Sequence, residues 1–335
     1  MNDLARTLVD WIEIPSVTGD EADYGNALAR ALEGAGFAVE RQEVEAGRSN
    51  VLARAGSPEV VFCTHIDTVP PYFGSRVADG VIYGRGSCDA KGQAVCMLAA
   101  GRALLQAGED RIGFLFTVGE ETTSDGACRA DELLADPWKP RYTIVGEPTG
   151  GRFVRGHKGI FQCQLVGHGV AGHSSQDIGP SAIHELVQAC ARILNADWGQ
   201  HPVFGPGTVN LGNIAGGIAA NVVADSAQAA FLLRAVEQPA MVEARLRELV
   251  GQHVEILISE NVCGPVEFHV PAGEEAEVVA FGTDAPHLLK WGTPLLYGAG
   301  AILDAHTDHE KVLVRDLEAC AAQHERTAGE LLAAR

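Results

Sequence analysis

Histidine and acidic residues recur along the chain at the points where short apolar stretches end. They do so in four segments, residues 63–69, 83–92, 118–121 and 145–149. Ligands of a parallel sheet bind outside the carboxyl ends of its strands, so one fold would gather these segments at one edge. The side chains expected to meet there are His65, Asp89, Glu120, Glu121 and Glu147, joined by one distant histidine.

A cluster of carboxylates has an electrostatic cost that indicates what it binds. Without a cation, the carboxylates would repel one another and raise each other's pKa. Two divalent metal ions about 3.5–4 Å apart remove that cost and activate a bridging water, provided that one carboxylate bridges them and another accepts the proton. Mixed histidine and carboxylate ligands favour zinc, with cobalt or manganese as alternatives, over magnesium or calcium. The pattern therefore predicts two divalent metal ions per subunit.

The elements that must position these residues alternate between helices and apolar strands. Asn2 or Asp3 can cap a first helix that ends before Pro15. The spacing then predicts, in order, a helix Glu21–Glu33, strands Ala38–Gln42, Ser49–Ala53 and Glu59–Thr64, a helix Lys91–Ala107, a strand Ile112–Val118, a helix Arg129–Leu134 and a strand Tyr142–Gly146. Continuous apolar strands between helices are typical of a buried, largely parallel sheet in an α/β domain.

The pattern changes after Gly156. It predicts, in order, a strand Phe161–Gly167, a helix Ser181–Asn195, strands Thr208–Ile214 and Asn221–Leu233, a helix Pro239–Gly251 and a strand Val254–Glu260. This order is typical of a small α+β domain with one open sheet face. From about Phe268 the chain returns to α/β character and ends on a helix. We therefore predict a catalytic domain of residues 1–156 and 268–335, into which a second domain, residues 157–267, is inserted.

Composition narrows the range of partners. Of the 335 residues, 25 are Lys or Arg and 44 are Asp or Glu, which gives a formal net charge of −19. Nucleic acid and anionic membranes require a basic patch, so neither is expected as a partner. No apolar run approaches the roughly 18 residues of a membrane-spanning helix, and the first residues lack the basic-then-apolar pattern of a signal peptide. We expect a soluble, cytoplasmic protein.

The acidic and histidine segments together resemble the dinuclear zinc amidohydrolases. This family includes acetylornithine deacetylase, succinyl-diaminopimelate desuccinylase, aminoacylases and glutamate carboxypeptidases. The similarity is collinear from about Pro15 to Val314 and rests on five motifs in order. It implies a di-metal catalytic domain with an inserted lid and dimerisation domain, and therefore a homodimer. Segments 282–286 and 298–300 most resemble the acetylornithine deacetylase branch.

The resemblance implies five metal ligands. They are, for the first metal, His65 and Glu147; for the second metal, Glu121 and His306; and for both, the bridging Asp89. His306 is preferred to His309 because the metal-binding histidine of the family directly follows an alanine, which here is Ala305. Two further residues complete the implied centre: Asp67, which would orient the His65 ring, and Glu120, the general base that would pass the proton to the leaving amine.

The inserted domain carries its own signature in segment 167–175. In the family, a histidine at the place of His173 reaches across a dimer interface and donates to the developing oxyanion in the partner's active site. Arg234 resembles the residue whose planar guanidinium holds the α-carboxylate of the substrate. Further substrate contacts are implied for Asn221, Thr283 and Gly298.

The resulting hypothesis is a hydrolase that cleaves the amide of N-acyl-L-amino acids. N-acetylornithine or N-acetylcitrulline is the expected kind of substrate. A dipeptidase or carboxypeptidase of the same family is the alternative, since both activities need the same metals and the same carboxylate clamp. A metal-free binding protein on the same fold is a third possibility, which would require loss of the base or of a ligand, and none is lost here.

Overall fold

A computed structural model of the chain describes residues 2–259 and 262–334, and these form two compact units. The first unit contains Met1–Arg155, Glu267–Glu277 and Thr283–Arg335. The second contains Gly156–Val266 and Val278–Gly282. The inserted domain predicted from sequence, residues 157–267, differs from the second unit mainly by the short stretch after Glu277, which no sequence signal assigned.

Seven α-helices occur in the described residues, numbered here in chain order. They are α1 Asp3–Ile12, α2 Ala22–Gly34, α3 Lys91–Gln106, α4 Asp125–Glu132, α5 Ala182–Asn195, α6 Pro239–Leu249 and α7 Val314–Ala333. The first begins as predicted, because the Asn2 side chain accepts the Ala5 N–H at 2.8 Å. The helix predicted over Arg129–Leu134 is instead α4, which begins four residues earlier.

The strands are also numbered in chain order. In the first part of the chain they are β1 Ala38–Glu45, β2 Arg48–Arg54, β3 Val60–His65, β4 Arg76–Ala78, β5 Val81–Tyr83, β6 Ile112–Thr117 and β7 Tyr142–Val145. In the rest they are β8 Phe153–His157, β9 Gly159–His168, β10 Gly172–His173, β11 Gln200–His201, β12 Gly205–Pro206, β13 Thr208–Gly216, β14 Val222–Val223, β15 Ser226–Ala235, β16 Val254–Ile258, β17 Val266–Glu267, β18 Ala276–Val279, β19 Thr293–Leu296 and β20 Lys311–Leu313.

The first unit is built on a six-stranded sheet in the order β1-β2-β6-β3-β7-β19. The strands β6, β3, β7 and β19 are parallel, whereas β2 pairs antiparallel with β6 and β1 antiparallel with β2. The prediction of a mixed α/β fold with a largely parallel sheet is therefore confirmed. The antiparallel edge strand β1 is largely exposed to solvent. Antiparallel strands tolerate such exposure better than parallel strands, which are usually buried on both faces.

Register places the carboxyl ends of the central strands side by side. His65 at the end of β3 pairs with Thr117 at the end of β6, and Cys63 pairs with Val145 at the end of β7. Helix α3 packs closely on this sheet, since a Cβ at Gly101 would lie 2.3 Å from the ring of Phe114. The segments that follow β3, β6 and β7 therefore leave the sheet from one edge.

The second unit contains the antiparallel sheet β13-β15-β9-β16. Buried and less buried residues alternate along β9, as expected when one face packs on a core. Residues of α5 and α6 share the core of this sheet. The predicted strand Asn221–Leu233 is divided, because β14 and β15 are separate strands, and Asn221 lies before both. Glu260, the predicted end of the last strand, lies outside the described residues.

Within residues 2–259 and 262–334, none of the helices combines the length and the apolar character needed to cross a membrane.

Candidate metal centre

His65 ends β3, and its side chain is only 1% exposed. Its Nδ1 lies 2.9 Å from the carbonyl oxygen of Asp67, and its Nε2 lies 2.9 Å from Oδ1 of Asp89. When Nδ1 donates its proton to that carbonyl, the neutral ring presents the Nε2 lone pair to Asp89 and its surroundings. This is the tautomer that a metal-binding histidine requires.

Asp67 is fully buried and joins two of the segments that leave the sheet. Its Oδ1 accepts the Glu120 N–H and its Oδ2 the Glu121 N–H, both at 3.2 Å. The hydroxyl of Thr18 also donates to Oδ2, at 2.8 Å. Burial raises the pKa of Asp67, but hydrogen bonds from His65, Thr18 and Glu121 outweigh it and leave the pKa below its usual value. The Asp67 carboxylate thus stays ionised, and its hydrogen bonds to the Glu120 and Glu121 N–H groups hold the loop after β6 in place.

Asp89 lies in the loop before α3, and its two oxygens face two different histidines. Oδ1 faces His65, while Oδ2 lies 3.2 Å from Nε2 of His306. The same Nε2 lies 2.9 Å from Oε2 of Glu121. Ligand atoms of His65, Asp89 and Glu121 all lie within 4.8 Å of one another. Asp89 therefore lies between His65 on one side and His306 on the other, and its bridging role stays a prediction.

His306 differs from His65 in its surroundings. Its side chain is 50% exposed, and its φ of 62° places it in the left-handed region that side chains other than glycine rarely adopt. Hydrogen bonds from its ring to Asp89 and Glu121 raise the pKa of His306 to about 10. His309 is directed elsewhere, since its Nδ1 lies 2.7 Å from Asp308. Only His306 of the two contacts the acidic cluster.

Glu147 and Glu120 complete the acidic cluster. Oε2 of Glu147 lies 3.9 Å from Nε2 of His65, and the residue is 5% exposed. Burial raises the pKa of both glutamates well above the usual value; neighbouring carboxylates add to this, whereas His65 opposes it. Glu120 also experiences the charges of Asp284 and Glu121. Both side chains therefore hold protons more tightly than an ordinary glutamate.

The donor set fits divalent metal ions. In the described part of the chain, no lysine or arginine forms an ion pair with any of the clustered carboxylates, Asp89, Glu120, Glu121 and Glu147. Their ion-pair partners there are His65 and His306, and once both rings are unprotonated, as metal binding requires, the cluster has no positive charge. A divalent ion supplies that charge, and imidazole nitrogens with carboxylate oxygens are ligands that zinc accepts.

The family model for the peptidase family M20/M25/M40 matches residues 61–330. This protein belongs to that family. A protein of Aspergillus terreus described as a "probable carboxypeptidase" is 34% identical to it, over 92% of this chain and 82% of the relative. The predicted membership of a metallohydrolase family is therefore confirmed at the level of the M20 metallopeptidases. The acetylornithine deacetylase branch stays a prediction.

Solved structures of two bacterial peptidases share the fold. An aminopeptidase PepT from Bacillus cereus superimposes with a TM-score of 0.80 at 21% identity, covering 97% of this chain and 96% of that one. The Bacillus subtilis YXEP protein, a dinuclear metal-binding peptidase of the M20 family, superimposes with a TM-score of 0.74 at 17% identity, covering 99% and 98%. At these identities the similarity establishes the fold of this M20 protein.

Two candidate substrate residues of this M20 protein lie next to each other in the second unit. His173 is exposed on β10, which pairs with β14, and its Nδ1 accepts the Ser175 hydroxyl at 2.8 Å. The Ser174 N–H donates to the carbonyl oxygen of Asn221 at 3.1 Å, so Asn221 borders the His173 turn. The contacts with Ser175 use Nδ1 of His173, and the residue is exposed.

Arg234 lies on β15, where it pairs with Ile160 of β9 and Thr208 of β13. Its side chain is half-buried, and among the described residues its guanidinium makes no hydrogen bond or ion pair. Burial lowers the pKa of the neighbouring His157, and the positive charge of Arg234 lowers it further. Within the part of the chain that the structure describes, the guanidinium of Arg234 thus has no anionic partner, and its role in substrate binding stays a prediction.

Thr283 and Gly298 have structural contacts in the first unit. The Thr283 hydroxyl accepts the N–H of Ala285, where a short 3₁₀-helix, Ala285–His287, begins. Gly298 is buried, and a Cβ there would lie 2.3 Å from the carbonyl oxygen of Glu147. Gly298 thus packs behind the loop that carries Glu147. As substrate contacts, both residues stay predictions.

Two residues that support the cluster, Gln93 and Asp284, are not among the site residues predicted from sequence. Gln93, in the first turn of α3, donates to the carbonyl oxygens of Cys88 and Ala299 at 2.7 Å and accepts the Ala299 N–H at 3.0 Å. Asp284 is buried, accepts the Thr117 hydroxyl at 2.7 Å, and raises the pKa of Glu120. Asp284 lies in segment 282–286 and Gln93 directly after segment 83–92, but the contacts with Ala299 and Thr117 join residues distant in sequence and leave no pattern in it.

Proposed function

We propose that this protein is a dinuclear metal-dependent peptidase that removes the C-terminal residue from small peptides, dipeptides included. The arrangement of histidines on both sides of Asp89, within a carboxylate cluster that pairs with no lysine or arginine of residues 2–259 and 262–334, carries the proposal. A relative described as a "probable carboxypeptidase" favours peptide over N-acyl amino acid as substrate. Zinc is the first metal to test, followed by cobalt and manganese.

The proposed ligands are those that surround Asp89: His65, Glu121, Glu147 and His306, together with Asp89 itself. Divalent metals bound there would polarise the scissile carbonyl and lower the pKa of water. Asp67 holds the His65 ring in the tautomer that binds metal. Most of the centre is thus held in place by contacts within the first unit.

Glu120 is the proposed general base. Its backbone N–H is held by Asp67, which sets the direction from which the carboxylate enters the cluster. Its raised pKa suits a group that must accept a proton from water and then give it to the leaving amine near neutral pH. Binding of cations nearby would lower that pKa toward the working range, because an opposite charge favours the ionised form.

The residues of the second unit are the proposed substrate clamp. The free guanidinium of Arg234 can pair with both oxygens of a C-terminal carboxylate. Nε2 of His173 can donate to an oxyanion, with Asn221 beside it. These roles rest on the family resemblance and on the availability of the side chains.

A homodimer is part of the proposal. Strand β13 is an edge strand of its sheet and is largely exposed, and Ile214 on it is 49% exposed. Ile218, just beyond β13, is 88% exposed. An exposed edge with apolar side chains is a template for pairing with another copy. Light scattering on the eluting protein should give twice the mass of the chain, and Ile214→Lys should give a monomer.

One substrate panel tests the activity. The purified protein, loaded with zinc or cobalt, is incubated with dipeptides, with C-terminally amidated versions of the same dipeptides, and with N-acetyl amino acids that include N-acetylornithine and N-acetylcitrulline. We expect hydrolysis of the free dipeptides and little of the amides. Preferential deacetylation would instead favour the N-acyl amino acid hydrolase. No hydrolysis and no bound metal would leave only a binding protein.

A further inference from the structure

A buried carboxylate that is not a candidate ligand lies beneath the loop that carries Asp89. Glu310 is 0% exposed. Its oxygens accept four nitrogen donors, namely Arg85 Nη1 at 2.7 Å and the backbone N–H groups of Gly86 at 3.2 Å, Cys88 at 3.0 Å and Asp89 at 3.1 Å, and the Cys88 thiol also donates to Oε1 at 3.6 Å. Three of the four nitrogen donors belong to one short stretch of backbone, residues 86–89.

The hydrogen bonds to Glu310 determine the backbone conformation of residues 86–89. A buried carboxylate is costly unless its charge is paired and its lone pairs are used, and here Arg85, itself 2% exposed, pairs with it. Backbone N–H groups that converge on one anion require a specific succession of φ and ψ angles. Gly86 supplies part of it with a φ of 89°. Removing the anion would leave these N–H groups without partners and the loop free to relax.

Glu310 also ties this loop to a second ligand. It follows His306 by four residues, and its own carbonyl oxygen accepts the Gly84 N–H at 3.1 Å. An ion pair between Asp304 and Lys311 holds the ends of the same segment. Main chain and side chain of one residue thus join the segment that carries His306 to the segment that carries Asp89.

We propose that Glu310 is a positioning residue that sets the placement of Asp89 relative to His306, and with it the affinity for the metal that these two residues share. Its oxygens are already used by nitrogen donors, so it acts through the backbone and is not itself a ligand. This inference rests on the proposed dinuclear function, because it assigns Glu310 a part in building that same centre.

Glu310→Gln tests the proposal, because it keeps the shape of the side chain and removes the charge that gathers the N–H groups. Calorimetric titration with zinc should show two equivalents in the unaltered protein, and in the variant the weaker equivalent should bind about 10–100-fold less tightly. Titration with cobalt should show a changed absorption spectrum for that equivalent. These readouts report the geometry of the centre without using activity.

Glu109→Gln is the matched control. Glu109 also accepts an arginine side chain and a backbone N–H, both from Arg111, at 2.7–3.0 Å, but in a turn that carries no ligand. We expect its metal affinity and cobalt spectrum to equal those of the unaltered protein. A loss of the same size in both variants would mean that Glu310 contributes only general stability, and would overturn the proposal.

The remaining outcomes are distinguishable. If the unaltered protein binds no divalent metal, the proposed function fails. If it binds two equivalents and Glu310→Gln binds both within twofold, the function stands and the positioning role is wrong. If circular dichroism shows that Glu310→Gln does not fold, Arg85→Lys replaces it. That variant removes the planar donor to Glu310, and an affinity lowered less than about threefold would also overturn the proposal.

Discussion

The candidate site residues of the two units differ in their burial and in their contacts with other residues. In the first unit, His65 and Asp89 are 1% and 5% exposed, and both contact other members of the cluster. In the second unit, His173 and Asn221 are exposed, and the guanidinium of Arg234 makes no polar contact among the described residues. The residues of the first unit are thus held in place by one another before any substrate binds. For the predicted substrate residues of the second unit, the expected binding partner is the substrate itself.

Substitution of Asp89 should have the largest effect, because this residue contacts both histidines. We expect Asp89→Asn to lose tightly bound metal and to lower kcat/KM by at least about 10⁴-fold, to the level of the metal-stripped protein. Metal analysis after gel filtration, paired with the peptide assay, measures both quantities. An Asp89→Asn protein that keeps two metals and a tenth of the activity would break the description of the first unit as a metal centre.

Glu120→Gln should lower activity nearly as much and leave metal binding intact. Removal of a general base costs about 10²–10⁴-fold, and Glu120 is not among the proposed ligands. The control is Glu121→Gln, which removes a proposed ligand next to it in sequence and should lower metal affinity as well. If the two variants lose metal equally, the assignment of base and ligand to these neighbours is wrong.

His173→Ala should lower kcat by about 10²–10³-fold, the usual cost of losing a donor to an oxyanion. Metal content and the cobalt spectrum should not change, because His173 lies in the second unit. Ser175→Ala is the control, since it removes the hydroxyl contacts to Nδ1 of His173 and to Nε2 of Gln176, keeps the imidazole, and should cost less than about tenfold. A His173→Ala protein with full kcat would mean that the exposed histidine has no part in the reaction.

The sequence was most informative where chemistry follows strand ends. His65 and Glu147 could be predicted because apolar strands are easily recognised and a parallel sheet gathers their carboxyl ends. Asp89 follows β5, which belongs to the separate antiparallel sheet β20-β5-β4, so its place in the cluster does not follow from that rule. Gln93 and Glu310 could not be predicted, because their function is to accept or donate hydrogen bonds with backbone groups, and such contacts leave no spacing in the sequence. They become visible only when the loops before α3 and before β20 lie side by side.

The same limit applies to the boundaries of elements. Helix α4 begins at Asp125, where Ser124 has a φ of 52° and Asp125 pairs with Arg48 at 2.6 Å. That pair joins residues far apart in the chain, so apolar periodicity alone placed the helix too late. The long strand predicted from Asn221 is interrupted for a related reason, because the Ala224 carbonyl oxygen accepts the N–H of Ala182, which begins α5.

Arg234→Met should have the smallest effect of the series and the most specific one. Methionine keeps much of the apolar length and removes the planar cation, so it should raise KM about tenfold for peptides with a free C-terminal carboxylate, in line with the loss of one charge-assisted pair. Peptides with a C-terminal amide should show no change, because the amide cannot use that pair. The ratio of the two effects measures recognition of the carboxylate separately from folding. An equal change for both would indicate that Arg234 supports the sheet between β9 and β13 and takes no part in binding, and the contrast between the units would then rest on His173 alone.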